Sequence, residues 1–291
     1  LGELSSAATL AEGAPSDAAK VVGGYVSEMA GLGFDMNFAP VADVGEGSDL
    51  GTRTFGDDPA TVAEFVEAIV DAHLEAGVTP VVKHWPGIGG GEGDPHVTTN
   101  LLPPLDQLRA ADLTVFDRAF RAGAPAVMVA HAVVDGLSTE EQPASLSSAA
   151  ITGELRGRQG FDGLVITDSL GMGAVVEFVP QHEAAVQAIR AGADVALLSG
   201  TEVVEDAHRA LTQAIRTGQI PEGQVQESVR RVLRLKGVEG PCLDVAAGFS
   251  TLQQQVAEEL DAAAAEGEDG AGTDGGAGTD DAGVQGDAGA G

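Results

Sequence analysis

Lysine, histidine, aspartate and glycine are concentrated between positions 83 and 96, in Lys83-His84-Trp85-Pro86-Gly87-Ile88-Gly89-Gly90-Gly91-Glu92-Gly93-Asp94-Pro95-His96. Lys83 and His84 bring a cation and an imidazole to a turn. Asp94 stands two residues before His96, a spacing that lets a carboxylate orient an imidazole and raise its basicity for general acid/base work. That spacing also fits two ordinary surface loop residues. Asp168 lies in Ile166-Thr167-Asp168-Ser169-Leu170-Gly171-Met172, directly after an apolar run. A carboxylate placed there is either a helix N-cap or a nucleophile or electrostatic stabiliser. Five glycines in the seven positions 87 to 93 permit backbone angles closed to other residues, so the loop is flexible or meets a ligand closely. A phosphate cradle fits poorly, because no Gly-Lys-Ser/Thr follows and the G-x-G-x-x-G spacing ahead of a helix is missing.

These groups need elements to hold them. An apolar run at residues 78–82 reads as a strand that delivers Lys83 and His84, with Pro86-Gly87 as the turn after it. Residues 126–130 form a near-continuous apolar run that delivers His131, and residues 164–167 deliver Asp168 in the same way; such runs suit strands buried on both faces. Residues 36–39 read as an earlier strand closed by Pro40, before a polar loop that carries Arg53 and Phe55. Residues 195–198 read as a fifth strand.

Helical patterns separate these runs. Ser16 is a candidate cap for a helix lined by Val21, Val22, Tyr25 and Met29. Asp58-Pro59 is a cap and first-turn pair for a helix lined by Val62, Phe65, Val66, Ile69 and Val70. His73 falls on that apolar stripe and reads as a packed residue. Further helices are expected over residues 105–122 and 183–191, along Val204, Ala207, Leu211 and Ile215, and along Val225, Val229, Val232 and Leu233, with Pro221 separating the last two.

Strands alternating with amphipathic helices imply a parallel sheet, either open or closed into a barrel. In a (β/α)8 barrel the catalytic groups stand at the carboxyl ends of several strands, where Lys83, His84, His131 and Asp168 all fall. The expected fold class is therefore α/β, a (β/α)8-type TIM barrel. Five strands are visible against about eight in the usual form. The barrel is thus expected to be irregular or to have its first strands before Leu1.

The chain has 291 residues, 43% of them hydrophobic, enough for a sizeable core. Its 45 acidic and 15 basic residues give a net charge of −30, which argues against nucleic acid or an anionic membrane as partner. Cys242 is the one cysteine, so no intramolecular disulfide forms. No apolar run is long enough to span a bilayer. From Asp261 onward the sequence is almost all Ala, Gly, Asp, Glu and Thr, with eight acidic residues and no basic one. Such a composition cannot bury a core, and a disordered acidic tail is expected over residues 246–291, after a barrel domain over residues 1–245. Taking those eight from the 45 leaves 37 acidic against 15 basic residues, so the acidity is not the tail's alone.

Taken together, these segments resemble glycoside hydrolase family 3, and within it the bacterial β-N-acetylglucosaminidase (β-hexosaminidase) subgroup. Asn37-Phe38-Ala39-Pro40-Val41-Ala42-Asp43-Val44 is similar to the family's N-F-A-P-V-x-D-V, and Arg53-Thr54-Phe55-Gly56-Asp57-Asp58-Pro59 to its R-[ST]-F-G-x-D-P. Lys83-His84-Trp85-Pro86-Gly87 is similar to K-H-F-P-G, and Thr167-Asp168-Ser169-Leu170-Gly171-Met172 to [ST]-D-x-L-x-M. The likenesses fall in family order over about residues 16–240. They imply that Asp168 is a nucleophile forming a glycosyl-enzyme intermediate, and that Arg53, Lys83 and His84 hold sugar hydroxyls. They also imply that His96, oriented by Asp94, is the general acid/base, on a loop whose glycines act as a hinge.

Most retaining glycosidases use two carboxyl groups about 5–5.5 Å apart. A neutral histidine in place of one avoids repulsion from the anionic nucleophile and from an anionic leaving group. Three departures from the family pattern stand out. Pro95 replaces the usual serine between Asp94 and His96, and Ile88 replaces a histidine, which removes a polar loop anchor. The family's earlier D-x-E-G-G-x-V segment, whose aspartate binds sugar hydroxyls, is not in the sequence.

The resemblance thus implies a retaining, exo-acting β-N-acetylglucosaminidase that removes terminal N-acetylglucosamine, from peptidoglycan fragments or short amino-sugar chains, with no cofactor. An N-acetylglucosamine-containing saccharide is the expected partner, and a monomer the expected state. The compartment is not fixed, with the cell envelope or exterior favoured over the cytoplasm. A family 3 β-glucosidase or β-xylosidase is the runner-up; it needs an acid/base glutamate from a further domain. A truncated, inactive or merely carbohydrate-binding protein is the alternative from another class. A metal hydrolase built on His84, Asp94 and His96 is weaker still, since there is no H-E-x-x-H and Lys83 opposes a cation.

Overall fold

The structure, a computed structural model, describes residues 2–45, 50–91 and 100–238. Helices α1 (Ala7–Leu10) and α2 (Pro15–Gly31) precede strand β1 (Met36–Asn37). A single 3-10 turn at Gly51–Arg53 leads to α3 (Pro59–Glu75) and β2 (Thr79–Trp85). Next come β3 (Asn100–Leu101), α4 (Leu105–Ala110), α5 (Asp112–Arg121), β4 (Ala126–Val129) and β5 (Ala132–Val133). A π-helix over Ala149–Arg158 leads to β6 (Leu164–Thr167). The described chain ends with α6 (Gly173–Val176), α7 (Gln181–Ala191), α8 (Val204–Arg216) and α9 (Glu222–Leu235).

Strands β1, β2, β4 and β6 form a parallel sheet in that spatial order, and β3 pairs with β5 apart from it. Two isolated parallel bridges, Val41 to Lys83 and Ile166 to Val195, extend the pairing at either side. Every residue of β4 and of β6 is buried, as the apolar runs require. Alternate residues serve opposite faces. Val82, Val127, Val129 and Val165 join the large core with Val66, Phe116 and other helix residues, whereas Val81, Ala126, Met128, Leu164 and Ile166 form a second cluster against Val232 and Leu235 of α9. Phe116 is fully buried, and burying a side chain of that kind contributes about 1.5–3 kcal/mol.

Three local expectations change. α2 starts at Pro15, with extended Ala14 before it, so Ser16 is not the cap; proline fits the first helical position and starts the helix a residue earlier. The helix expected over residues 105–122 is two helices, because Ala111 leaves helical geometry (φ −126°, ψ −88°) and its carbonyl accepts from both the N–H and the hydroxyl of Thr114. Residues 195–198 do not form a regular strand. The N–H of Leu197 donates to the Thr167 hydroxyl at 3.0 Å, where a ladder would use a backbone carbonyl. Asp58 caps α3 as expected, accepting from the Thr61 N–H at 2.9 Å. His73 is fully buried, donating from Nδ1 to the Ile69 carbonyl and accepting at Nε2 from the Asn37 amide, so it is a packing residue. The segment 246–291 lies outside the described residues.

Candidate functional site

The carboxyl end of β2 is built by the chain that pairs beside it. The Lys83 N–H donates to the Pro40 carbonyl, and the Ala42 N–H to the Lys83 carbonyl. This carries Asp43 against the strand end. The Asp43 side chain is fully buried and accepts three bonds: from His84 Nδ1 at 2.7 Å, from the His84 N–H at 3.3 Å and from the Ile88 N–H at 2.8 Å. A carboxylate can only accept, so Nδ1 of His84 carries its hydrogen. Nε2 then presents a lone pair towards Arg53, whose Nη2 is 3.5 Å away. Asp43 thereby sets the tautomer and tilt of an imidazole whose other nitrogen faces the site.

Lys83 is half-buried, and burial pushes its ammonium below the usual lysine range; Arg53 pushes it the same way, while Asp168 and Asp43 oppose the shift. These opposing charges place Lys83, Arg53, Asp43 and Asp168 in one electrostatic neighbourhood. Asp168 follows β6, with its backbone N–H donating to the Val129 carbonyl at 2.8 Å. Its Oδ1 accepts from the Ser169 N–H at 2.7 Å. It caps no helix, because α6 begins only at Gly173, after extended Met172. The structure thus gathers four of the sequence-predicted residues, Arg53, Lys83, His84 and Asp168, at the carboxyl side of the sheet. Asp94 and His96 lie outside the described residues.

The first part of the glycine run is packed. A Cβ on Gly89 would lie 2.1 Å from the Val44 carbonyl oxygen, and one on Gly91 would lie 1.7 Å from Oδ1 of Asn100. Close approach to the chain itself accounts for glycine at both positions. Ile88 joins a small apolar cluster with Leu50, Ala130 and Ala132. The anchor that its side chain lacks is provided by its backbone N–H on Asp43.

Asp43, Asp112 and His131 received no role from the sequence. Asp43 stood in view within Asn37-Phe38-Ala39-Pro40-Val41-Ala42-Asp43-Val44, and the signal was a carboxylate just after a strand end. Asp112, in the first turn of α5, has its carboxyl against Gly87. Burial, with Asp43 adding to it, pushes that carboxyl up to about 7. His131 was noted at a strand end and is fully enclosed there.

The model of the glycosyl hydrolase family 3 N-terminal domain matches residues 2–235. Beta-hexosaminidase LpqI of Mycobacterium tuberculosis (strain ATCC 25618 / H37Rv) is 41% identical over 223 residues, which are 74% of this chain and 57% of that protein. Beta-hexosaminidase of Xylella fastidiosa (strain 9a5c) is 42% identical over 188 residues, 64% of this chain and 55% of that one. The chain therefore spans just over half the length of these curated relatives. The solved structure of M. tuberculosis LpqI superposes with a TM-score of 0.76 at 39% identity, over 81% of this chain and 71% of that one. A glycoside hydrolase family 3 β-N-acetylglucosaminidase from Paenibacillus sp. str. FPU-7 gives 0.76 at 37% identity, over 79% of this chain and 45% of that one. With the family model spanning most of its length and its strand-end groups gathered on one side of a parallel sheet, the chain belongs to glycoside hydrolase family 3.

Proposed function

We propose that this protein is a retaining, exo-acting β-N-acetylglucosaminidase that hydrolyses terminal β-linked N-acetylglucosamine, its natural source being peptidoglycan fragments. The observation that carries the reading is the state of Asp168. One carboxylate oxygen accepts from the Ser169 N–H, the other accepts no hydrogen bond among the described residues, and the Lys83 ammonium lies within electrostatic reach. Similarity to proteins named beta-hexosaminidase supports the choice of sugar.

In this reading the second oxygen of Asp168 attacks the anomeric carbon as the glycosidic C–O bond breaks. His96, oriented by Asp94, delivers its proton to the departing oxygen. In the second half His96 takes a proton from water, which attacks the anomeric carbon and releases Asp168, so two inversions retain configuration. Lys83 and Arg53 donate to sugar hydroxyls, and Nε2 of His84 accepts from one. No cofactor enters the scheme. The parallel order of β1, β2, β4 and β6, extended by the two isolated bridges, supports a (β/α)8-type barrel as the fold of the described residues. Action as a monomer at the cell envelope or outside the cell, where peptidoglycan fragments are met, belongs to the same proposal. Among the described residues no helix is long and apolar enough to cross a membrane.

The test is turnover by the full-length protein. Release of nitrophenol from the N-acetyl-β-glucosaminide but not the β-glucoside is expected, with Asp168→Ala inactive. Equal rates on both glycosides overturn the sugar assignment, and a fully active Asp168→Ala overturns the mechanism.

A further inference from the structure

Ser169, the residue after the proposed nucleophile, is held at every polar atom. Its N–H donates to Oδ1 of Asp168 at 2.7 Å. Its hydroxyl bonds that of Ser199, and Ser199 is in turn clamped by Gln181, whose amide accepts from the Ser199 N–H at 2.9 Å and donates to the Ser199 carbonyl at 3.2 Å. The Ser169 carbonyl accepts from the Met172 N–H at 3.1 Å and faces Nε2 of His131 at 2.8 Å.

His131 is 1% exposed, and Nδ1 lies 2.6 Å from the Ser145 hydroxyl. Burial holds its imidazole below the usual histidine range against the opposing charge of Asp168, so the ring is neutral at pH 7 with one hydrogen to give. A carbonyl can only accept, which assigns the hydrogen to Nε2 and makes Nδ1 the acceptor from Ser145. Neither contact is that of a general acid or base, because both ring nitrogens face protein.

We propose that His131 is a positioning residue for the nucleophile: by fixing the Ser169 carbonyl it restrains the residue whose own N–H, on the preceding peptide, holds Oδ1 of Asp168, so that the other oxygen meets the anomeric carbon. The inference rests on the function proposed above and adds a residue to it. Ser169 lies between two anchors on different elements, Ser145 through His131 and Gln181 through Ser199, and loses rotational freedom from both sides. A small error in the approach of a nucleophile costs about 100-fold in rate while leaving sugar contacts unchanged.

The test compares three substitutions in the full-length protein, with nitrophenyl N-acetyl-β-glucosaminide as substrate and folding checked by thermal denaturation. His131→Leu removes the donor, and kcat is expected to fall about 100-fold with KM within about twofold. His131→Gln places an amide nitrogen near the Nε2 position and is expected to recover most of kcat. His131→Asn reaches only the Ser145 side and is expected not to recover it. Unchanged kcat in a folded His131→Leu, or a loss confined to KM, overturns the proposal. Should His131→Leu not fold, the glutamine and asparagine variants decide, and asparagine equal to or better than glutamine overturns it. Wild-type turnover is the control that separates the two readings. If wild type releases no sugar, the parent function falls and this inference with it; if wild type is active and His131→Leu matches it, this inference alone falls.

Discussion

Two aspartates with fully buried side chains lie at opposite ends of the same parallel sheet and are satisfied in different ways. Asp194, at the amino edge beside the start of β6, accepts from Arg156 at 2.7 Å, from Arg231 at 3.0 Å, from the Ser228 hydroxyl at 2.7 Å and from the Val165 N–H at 2.8 Å. Two cations and two neutral donors close around it, and Arg156 also donates to the Gly192, Phe161 and Gly163 carbonyls. Asp43, at the carboxyl edge, accepts from one imidazole and two backbone N–H groups. The first arrangement spends its charge on joining the π-helix, α9 and the sheet. The second turns its charge into the orientation of a ring whose far nitrogen stays towards the site. One residue type, equally buried, thus staples at one edge and aims a side chain at the other.

The largest difference should appear when each aspartate is removed. Asp194→Ala takes from Arg156 its buried salt-bridge partner and leaves Arg231 only the exposed carboxylate of Asp162 at 3.2 Å, and breaking a buried pair in this way costs about 3–5 kcal/mol. Urea unfolding should report that loss, while the fraction still folded keeps its kcat/KM. A variant as stable as wild type breaks the comparison at its amino end.

Asp112 gives the next largest effect, and one that depends on pH. Its carboxyl, pushed up to about 7 mainly by burial, holds a proton in the fold that the unfolded chain releases near pH 4. Between those values this site binds more protons in the folded state, so the contribution of Asp112 to stability falls as pH rises from about 4 to about 7 and levels off above. Asp112→Asn removes the titration. Its stability relative to wild type should grow across that window by on the order of 2–3 kcal/mol, after allowance for partial exposure. Urea midpoints at pH 4.5, 6 and 8 check this, and parallel curves sink it.

Asp43→Asn tests the aiming role. The amide oxygen can still accept from the Ile88 N–H, but the amide nitrogen then meets Nδ1 of His84 and drives the hydrogen to Nε2. The site loses an acceptor and Arg53 faces a donor. Activity should drop by about 10–100-fold, as when an orienting partner imposes the wrong tautomer. Nitrogen-15 chemical shifts of the His84 ring should show the exchange of hydrogen between Nδ1 and Nε2. An unchanged tautomer with unchanged activity makes Asp43 a staple like Asp194.

How legible these two edges were in the sequence follows from the range of the contacts. The apolar runs that became β2, β4 and β6 declare themselves locally, and with them the strand ends where Lys83, His84 and Asp168 stand. Asp43 bonds a side chain 41 positions away, and Asp194 bonds Arg156 and Arg231 at 38 and 37 positions. No periodicity encodes such pairs. The irregular course of residues 195–198 was hidden for a similar reason, since it depends on a Thr167 hydroxyl intercepting the Leu197 N–H. The break at Ala111 has no proline or glycine to announce it. The family motifs marked residues that face the site and were silent on Ser145, which holds His131 from behind.

The smallest predicted effect separates backbone from side chain at the carboxyl edge. Ile88 stands 6% exposed among Leu50, Ala130 and Ala132, and its N–H, not its side chain, reaches Asp43. Ile88→Val removes one methylene from that cluster and should cost about 0.5–1.5 kcal/mol in stability. The backbone bond to Asp43 is untouched, so kcat/KM should remain within about twofold of wild type. The pairing of a measurable stability loss with unchanged kinetics is the discriminating outcome. A kinetic loss comparable to that of Asp43→Asn would mean that the apolar packing of residue 88 aims His84, and that Asp43 follows it.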